Sequence, residues 1–302
     1  MSTANSIETV LSTSVPLAVP LLFAGMGEYV AQRAGCFDLS VEGMLLSGAF
    51  FGALTASASG SLIVGVLGGI VAGLVVGLLH GNLSHRLQLN TYVVGLALNI
   101  LVLGLTNYLV VSHAPQVPAA SPIEIPALAR IPVIGKPLFD QPWLVYALPV
   151  LALLIWLLFK TRVGLEIRGS GDDPTASDLS GIRVNARRRQ TLLFCGICAG
   201  TGGAYLSIFQ ASSFQSGMTA GRGYLVIAAV IFGGWTLGGT VAGCLLFGIA
   251  QGLQLSLPAI GVSVSPQLLI ALPYLLAVVV LAVFGRRLAE PSALGRPFRR
   301  AR

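Results

Sequence analysis

Long apolar runs constrain this chain more than any other feature of its sequence. Seven runs of 17 or more residues carry no charged side chain, at 10–26, 61–79, 91–111, 143–159, 191–209, 239–257 and 268–284. About 20 apolar residues in a helix cross the ~30 Å hydrocarbon core of a bilayer. Two shorter apolar stretches, at 43–57 and 223–237, contain glycine. The sequence therefore predicts an all-α integral membrane protein, a polytopic bundle of about nine (8–10) transmembrane helices with broken or re-entrant elements.

The composition supports a single membrane domain over residues 1–302. Charged residues make up 10% of the chain, hydrophobic residues 55%, and the mean hydropathy is +0.84. A soluble domain normally contains about 25% charged residues, so this chain could not cover a water-facing surface. The strands of a membrane β-barrel alternate apolar and polar residues, and these runs do not. No Lys or Arg precedes the first run, which we interpret as a permanent span rather than a secretory signal.

The basic residues are concentrated in two segments, and this asymmetry predicts an orientation. Thirteen of the 18 basic residues fall either at 160–189 or in the tail at 285–302. Because basic loops stay on the cytoplasmic side, we expect a cytoplasmic loop at 161–189 and a cytoplasmic C-terminal tail. Four predicted spans separate the two segments, and this orientation requires an even number. The net charge of +7 then reflects topology in the plasma membrane, and no nucleic-acid partner is expected.

Glycines recur every four residues along two of the predicted spans. They are Gly65, Gly69, Gly73, Gly77 and Gly81 in the third span, with Gly239, Gly243, Gly248 and Gly252 in the eighth. Residues four apart share a helix face, where glycine lets another helix approach closely. Tight packing is the simpler interpretation, and a bare-backbone lining of a substrate path is the alternative. The stretches 43–80 and 223–252 have the same layout, which suggests an internal repeat.

Charged residues interrupt the apolar pattern between the first two predicted spans. Glu28, Arg33, Asp38 and Glu42 lie within one short segment, and apolar helix follows Glu42 at once. Ionisable groups inside a membrane are costly, so they usually face a cavity or one another. Two interpretations follow. Either Arg33 pairs with a nearby carboxylate at the interface, or Asp38 and Glu42 line the path of a substrate.

A second irregular segment, 210–224, is polar, glycine-rich and carries Arg222. An unusually short apolar stretch follows it, so the segment is predicted to be either a half-helix facing a cavity or an ordinary external loop. Three uncharged polar side chains add to the candidate path: Asn90 and Asn99 at the start of the fourth span, and Gln251 in the eighth. Amides buried in a membrane bond either to other helices or to a polar substrate.

The cysteines and histidines do not predict a catalytic or metal site. Cys195 and Cys198 form a C-x-x-C pair inside an apolar span with no His or acidic residue nearby in sequence, which favours packing. His80 and His85 flank a short predicted loop, where interfacial roles are expected. The P-loop pattern is absent from the sequence, so the chain is not expected to be an enzyme or to bind a cofactor of its own.

The loop at 161–189 is the one long charged connection predicted on the cytoplasmic side. Its Asp173-Pro174 pair signals a turn, and either Asp173 or Thr175 could cap a short helix that begins near Ala176 and ends at Gly181. A short helix between basic flanks is typical of an element that docks on a partner protein. A solvated connector is the alternative.

Four stretches of the sequence resemble a known family. They are "QRAGCFDLSVEGMLLSGAF", "NTYVVGLALNILVLGLTNYL", "GIRVNARR" and "FQSGMTAGRGYLVIAAVIFGGW". They resemble the membrane (permease) subunits of bacterial nucleoside-type ABC importers, within the ribose, simple-sugar and branched-chain amino-acid permease group. The resemblance covers about 25–274 and places an ATPase-coupling helix at 169–181, with Asp172, Asp173, Pro174, Ala176 and Gly181 in it.

The resemblance implies several partners in a bacterial plasma membrane. They are a second permease subunit, a cytoplasmic ABC ATPase that binds ATP-Mg, and an extracytoplasmic substrate-binding lipoprotein. The expected mechanism is alternating access, with a nucleoside passing candidate pathway residues Glu42, Asp38, Asn90, Asn99, Met218, Arg222 and Gln251. "FDLSV" has Asp38 and Ser40 where the nucleoside branch often has Asn and Gly, which leans toward sugar permeases. A simple-sugar permease, an ion-coupled secondary transporter and a membrane-embedded enzyme are the alternatives.

Overall fold

The computed structural model describes residues 3–113, 115–118, 123–124, 135–259, 265–284 and 290–299. Helices account for most of this part of the chain. They are α1 (Thr3–Arg33), α2 (Val41–Ser59), α3 (Leu62–His85), α4 (Thr91–Ser112), α5 (Gly135–Phe139), α6 (Ala147–Leu158), α7 (Arg162–Asp172), α8 (Pro174–Leu179), α9 (Val184–Tyr205), α10 (Arg222–Phe232), α11 (Leu237–Ala259) and α12 (Pro266–Phe284). A 3₁₀ turn at Trp143–Tyr146 precedes α6, and a π turn at Leu206–Gln210 extends α9. Two short strands, β1 (Ile123–Glu124) and β2 (Asp140–Gln141), pair antiparallel.

Every apolar run of the sequence coincides with a helix, so the prediction of a polytopic all-α membrane protein is confirmed. Six helices of the described chain are long and apolar enough to cross a membrane by themselves. The segment Trp143–Leu158 and α7, which meet at a bend of 76°, make a seventh candidate if the two together are taken as one broken span. The helix α10 and the stretch 267–276 of α12 are shorter apolar helices. The predicted count of about nine spans is therefore not confirmed.

Glycine contacts hold the centre of the bundle together. Gly73 of α3 faces Gly200 of α9, and a Cβ at Gly73 would lie only 2.7 Å from the Gly200 Cα. Helix backbones can approach this closely only where side chains are absent. On the other side of the bundle, Gly248 of α11 faces Ala18 of α1 in the same manner. The packing interpretation of the glycine stripes is therefore confirmed, because the stripes face neighbouring helices.

The bundle is built from two halves that exchange partners. The helices α1–α4 form one half and α9–α12 form the other. The first helix of each half packs against the third helix of the other, α9 against α3 and α1 against α11. The same first helices also pack against the second helices, α9 against α2 and α1 against α10. This exchange agrees with the internal repeat suggested by 43–80 and 223–252.

Candidate functional site

The carboxylate of Glu42 joins the starts of α2 and α10 inside the bundle. Its Oε1 accepts hydrogen bonds from the Thr219 hydroxyl at 2.7 Å and the Gly221 N–H at 2.9 Å, and its Oε2 accepts one from the Gly223 N–H at 2.6 Å. The first N–H groups of a helix have no partner within the helix, and the helix dipole favours a negative charge beside them. Glu42 therefore supplies both the acceptor and the charge that the start of α10 requires.

The sequence around Gly221 explains why α10 begins inside the protein. Gly217 and Gly221 adopt positive φ angles of 66° and 79°, a left-handed conformation that favours glycine. These turns bring the chain back toward α2 before α10 starts. Gly223 has to be glycine, because a Cβ there would lie 2.6 Å from both the N and Cα atoms of Glu42. The close approach of the two helix starts depends on this missing side chain.

The helix α10 has only 11 residues and so is about 16 Å long, roughly half of a membrane span. Its first turn contacts Glu42, and the tryptophan just after its end, Trp235, donates from its indole Nε1 to Gln32 Oε1 of α1 at 2.7 Å. Both ends of α10 are thus packed inside the bundle. The half-helix begins at Arg222, and residues 211–221 before it are bends and turns, several of them exposed. The segment 210–224 is therefore a turn segment that leads into a half-helix.

Asn99 fixes the same junction from α4. Its Oδ1 accepts a hydrogen bond from the Gly43 N–H at 2.8 Å, and its Nδ2 donates to the Leu39 carbonyl at 2.7 Å and to the Tyr224 hydroxyl at 3.3 Å. One amide thereby contacts the residues before α2, the first turn of α2 and the first turn of α10. Met218, in the turn before α10, is partly buried and packs against the apolar core.

A cavity of about 230 Å³ lies beside this junction, between α1, α10, α11 and α12. It is lined by Leu17, Ala220, Arg222, Leu225, Gln251, Gln254, Leu255, Pro273 and Tyr274. Two buried polar atoms of the lining residues, the Nη1 of Arg222 and the Oε1 of Gln251, have no hydrogen-bond partner among the residues that the structure describes. One is a donor and the other an acceptor. Because unpaired buried polar groups are costly, a ligand in the cavity that offers both kinds of group could draw these two side chains toward it.

Asp38 lies in a different place, in a buried cluster with Ser40 and His80. Its Oδ1 accepts from the Ser40 N–H at 2.8 Å and the Ser40 hydroxyl at 2.6 Å, and lies 2.8 Å from Nδ1 of His80. The other ring nitrogen of His80 is 2.9 Å from the Thr91 hydroxyl. The sequence predicts His80 at the edge of a short loop, whereas the structure has it inside α3 with its side chain fully buried. No local pattern in the sequence indicates a partner so far along the chain.

Glu28 also differs from its expected position between two spans. It belongs to α1, is fully buried, and accepts a hydrogen bond from Gln32 Nε2 at 2.7 Å. Cys195 Sγ lies 3.5 Å from Glu28 Oε2, so a cysteine interpreted as a packing residue contacts an acidic group. Among the described residues, Glu28, Asp38 and Cys195 form the one group whose ligand atoms are close enough, within 4.8 Å, for a metal ion.

Asn90 and Arg33 do not join the junction around Glu42. Asn90 caps α4, and its Oδ1 accepts from the Tyr92 N–H at 3.0 Å, about 14 Å along the helix from Asn99. In the part of the chain that the structure describes, Arg33 has no carboxylate within 4 Å. The predicted pairing of Arg33 with a nearby acid is therefore not observed. Of the seven candidate path residues, five meet at the junction and its cavity: Glu42, Asn99, Met218, Arg222 and Gln251.

The loop at 161–189 folds into α7 and α8, with the cap predicted from its sequence. Asp173 Oδ1 accepts from the Thr175 N–H at 3.0 Å and the Ala176 N–H at 2.9 Å, and Pro174 occupies the first turn of α8. The chain leaves α8 through Gly181, whose φ is +86°. Leu179, at the end of α8, is 85% exposed. A short, capped helix that presents an apolar side chain is suited to contact with another protein.

A family model described as "Branched-chain amino acid transport system / permease component" matches residues 10–284. The chain belongs to this permease family. The matched residues include both halves of the bundle, the junction at Glu42 and α8. The permease is therefore a multi-pass membrane protein and the transport component of an ABC importer. No solved structure gives a match to the chain.

Three relatives match nearly the whole permease. The putative glucose ABC transporter permease protein TsgC13 of Haloferax volcanii is 31% identical, over 96% of this chain and 97% of the relative. The nucleoside ABC transporter permease protein NupC of Lactococcus lactis is 33% identical, over 98% of each chain. The guanosine ABC transporter permease protein NupQ of Bacillus subtilis is 28% identical, over 99% of this chain and 98% of the relative.

Proposed function

We propose that this permease carries nucleosides through the membrane as the translocation subunit of an ATP-driven importer. The observation that carries the proposal is the cavity beside Glu42, which Arg222 and Gln251 line. Each of these side chains also has a buried polar atom, a donor on Arg222 and an acceptor on Gln251, with no hydrogen-bond partner among the described residues. A nucleoside is uncharged and offers hydroxyl groups together with donors and acceptors on its base. Tyr274, also in the wall, adds an aromatic face on which a base can stack.

The energy for transport comes from a separate ATPase that binds ATP-Mg. We assign its docking site to α8, where the exposed Leu179 follows the Asp173 cap. The basic segments at 160–189 and 285–302 support a cytoplasmic position for α8 and the C-terminus. The opposite face of the membrane receives substrate from a binding lipoprotein. A second permease subunit, a paralogue or an identical copy, completes the pathway.

The half-helix α10 is the element that alternating access would move. Its start is held by three hydrogen bonds that the carboxylate of Glu42 accepts, and not by a continuous helix. A small shift of α2 relative to α10 would therefore change the shape of the cavity that Arg222 lines. The substrate shifts this equilibrium only as far as it binds one state more tightly than the other.

A simple sugar is the second candidate substrate. The sequence "FDLSV" leans toward sugar permeases, and the relative from Haloferax volcanii is named for glucose. A sugar also supplies hydroxyl groups for Arg222 and Gln251, but it has no aromatic base for Tyr274. The two candidates therefore differ in the use of the aromatic wall.

Uptake competition tests the proposal. In cells that express the permease with its ATPase and lipoprotein, uptake of labelled nucleoside should be inhibited by unlabelled nucleosides and not by ribose or glucose. Gln251→Leu should lower nucleoside uptake by about fivefold, since one lost hydrogen bond to substrate is worth about 1 kcal/mol. Leu255→Ala, which alters an apolar part of the same wall, is the matched control. Uptake that only sugars inhibit would favour the sugar permease.

A further inference from the structure

The C-terminal tail is bound to the base of the bundle, next to α7 and α8. Within the described residues 290–299, the Ala293 N–H donates to the Gly171 carbonyl of α7 at 2.9 Å, and the Gly295 N–H donates to the Gly35 carbonyl at 3.0 Å. The Ser292 hydroxyl also donates to the carbonyl of Asp172. The sequence predicted only a basic tail, whereas these contacts attach it both to α7 and to the end of α1.

Arg188 fills the centre of this attachment and is completely buried. Its guanidinium donates to the carbonyls of Ala34 at 3.1 Å, Ser170 at 3.0 Å and Arg296 at 2.7 Å. These three acceptors belong to the end of α1, to α7 and to the tail. A buried arginine needs its donors satisfied, and here the acceptors are backbone carbonyls. Arg188 thus links three segments that are far apart in sequence.

The segment 34–42 connects this attachment to the Glu42 junction. At one end, Ala34 and Gly35 give their carbonyls to Arg188 and to the tail. In the middle, Asp38 bonds to Ser40 and His80. At the other end, Glu42 holds the start of α10. The segment 34–42 therefore contacts α7 and the tail at its first residues, and the proposed substrate path at its last.

We infer that the tail, Arg188 and the segment 34–42 transmit movement of α7 and α8 to the half-helix α10. This inference rests on the proposed function, in which the ATPase moves α8. Arg188 acts as a positioning residue, because it contacts no substrate and holds Ala34 against α7. A displacement of α7 moves the start of the segment 34–42, and the movement reaches α10 through the carboxylate of Glu42.

Contacts between α7 and the segment offer a precise way to break the connection. A Cβ at Gly171 would collide with the Arg33 carbonyl oxygen and lie 3.0 Å from the Gly35 nitrogen, and these are backbone atoms that cannot rotate away. Gly171→Ala should therefore separate α7 from the segment without touching the cavity. Gly104→Ala, at a helical glycine with open space around the new Cβ, is the matched control. Ending the chain at residue 289 removes the tail and serves as a second variant.

Two measurements test the inference. In the complete importer, Gly171→Ala and the truncated chain should hydrolyse ATP but move about fivefold less substrate per ATP, the size expected for a lost coupling contact. Hydrogen–deuterium exchange of peptides covering 217–225 provides a readout that does not depend on transport. The Gly221 and Gly223 amides should exchange faster in both variants and not in Gly104→Ala.

The outcomes separate the inference from the proposed function. An importer that shows no ATP-driven nucleoside uptake with the wild-type permease contradicts the proposed function, whatever the exchange data show. Unchanged exchange at 217–225 in both variants overturns the inference, whatever the transport measurement shows. Unchanged transport per ATP in an active importer overturns it as well. Faster exchange with a lowered transport ratio supports it.

Discussion

Replacing Glu42 with alanine is expected to abolish uptake. The variant leaves the Thr219 hydroxyl and the Gly221 and Gly223 N–H groups without their acceptor. Each unsatisfied buried group costs about 1–3 kcal/mol, and a change of about 1.4 kcal/mol in a barrier is a factor of ten in rate. Even if water replaces part of the lost hydrogen bonding at these three groups, the uptake rate should fall by more than tenfold.

A graded series at Glu42 separates charge from simple volume. Glu42→Gln keeps the size and one acceptor oxygen but turns an amide donor toward another donor, so its uptake should lie between wild type and Glu42→Ala. Thr219→Val removes a single one of the three hydrogen bonds and should have the smallest effect. Initial uptake rates at equal amounts of membrane-inserted protein give the comparison. Wild-type uptake by Glu42→Ala would contradict the role assigned to the junction.

A side chain at Gly73 is expected to prevent the bundle from packing. In Gly73→Val the new atoms would meet the backbone of Gly196 and Gly200 in α9, with the Cβ only 2.7 Å from the Gly200 Cα. Overpacking costs about 1–3 kcal/mol even where side chains can adjust, and backbone atoms cannot. We expect most of the protein to aggregate after detergent extraction, as measured by fluorescence-detected size-exclusion chromatography.

The matched control for Gly73→Val is Gly104→Val. Gly104 also lies in a long apolar helix, α4, but it is exposed and a Cβ there meets nothing within 4 Å. This variant should elute as a single peak with normal yield. Equal behaviour of the two variants would contradict the tight contact between α3 and α9.

Local signals in the sequence were sufficient for the helices and for several of their ends. Hydropathy located the long helices, because the membrane requires each span to be continuous and apolar. Asp173-Pro174 located the start of α8, since a cap bonds to N–H groups only two or three residues away. The glycines before Arg222 indicated the broken helix for the same reason. These features depend on neighbours in the chain.

Contacts between distant segments could not be predicted in this way. Asp38 and His80 are separated by a complete helix, and no local pattern pairs them. Arg188 was counted among the cytoplasmic charges, although Val184, Leu192 and Cys195 lie on the same buried face of α9. That helical spacing was a usable signal that Arg188 points inward. The attachment of the tail had no signal in the sequence, because the tail contributes mainly backbone groups, which every residue carries.

ATP dependence is the most direct test of the central claim, that this permease is the transport subunit of an ATP-driven nucleoside importer. The complete importer should be reconstituted in proteoliposomes and supplied with labelled nucleoside on the lipoprotein side. The account predicts accumulation against the gradient that requires hydrolysable ATP and persists when the proton gradient is collapsed. Uptake that continues after ATP depletion and stops when the proton gradient is collapsed would contradict it, and would identify an ion-coupled transporter instead.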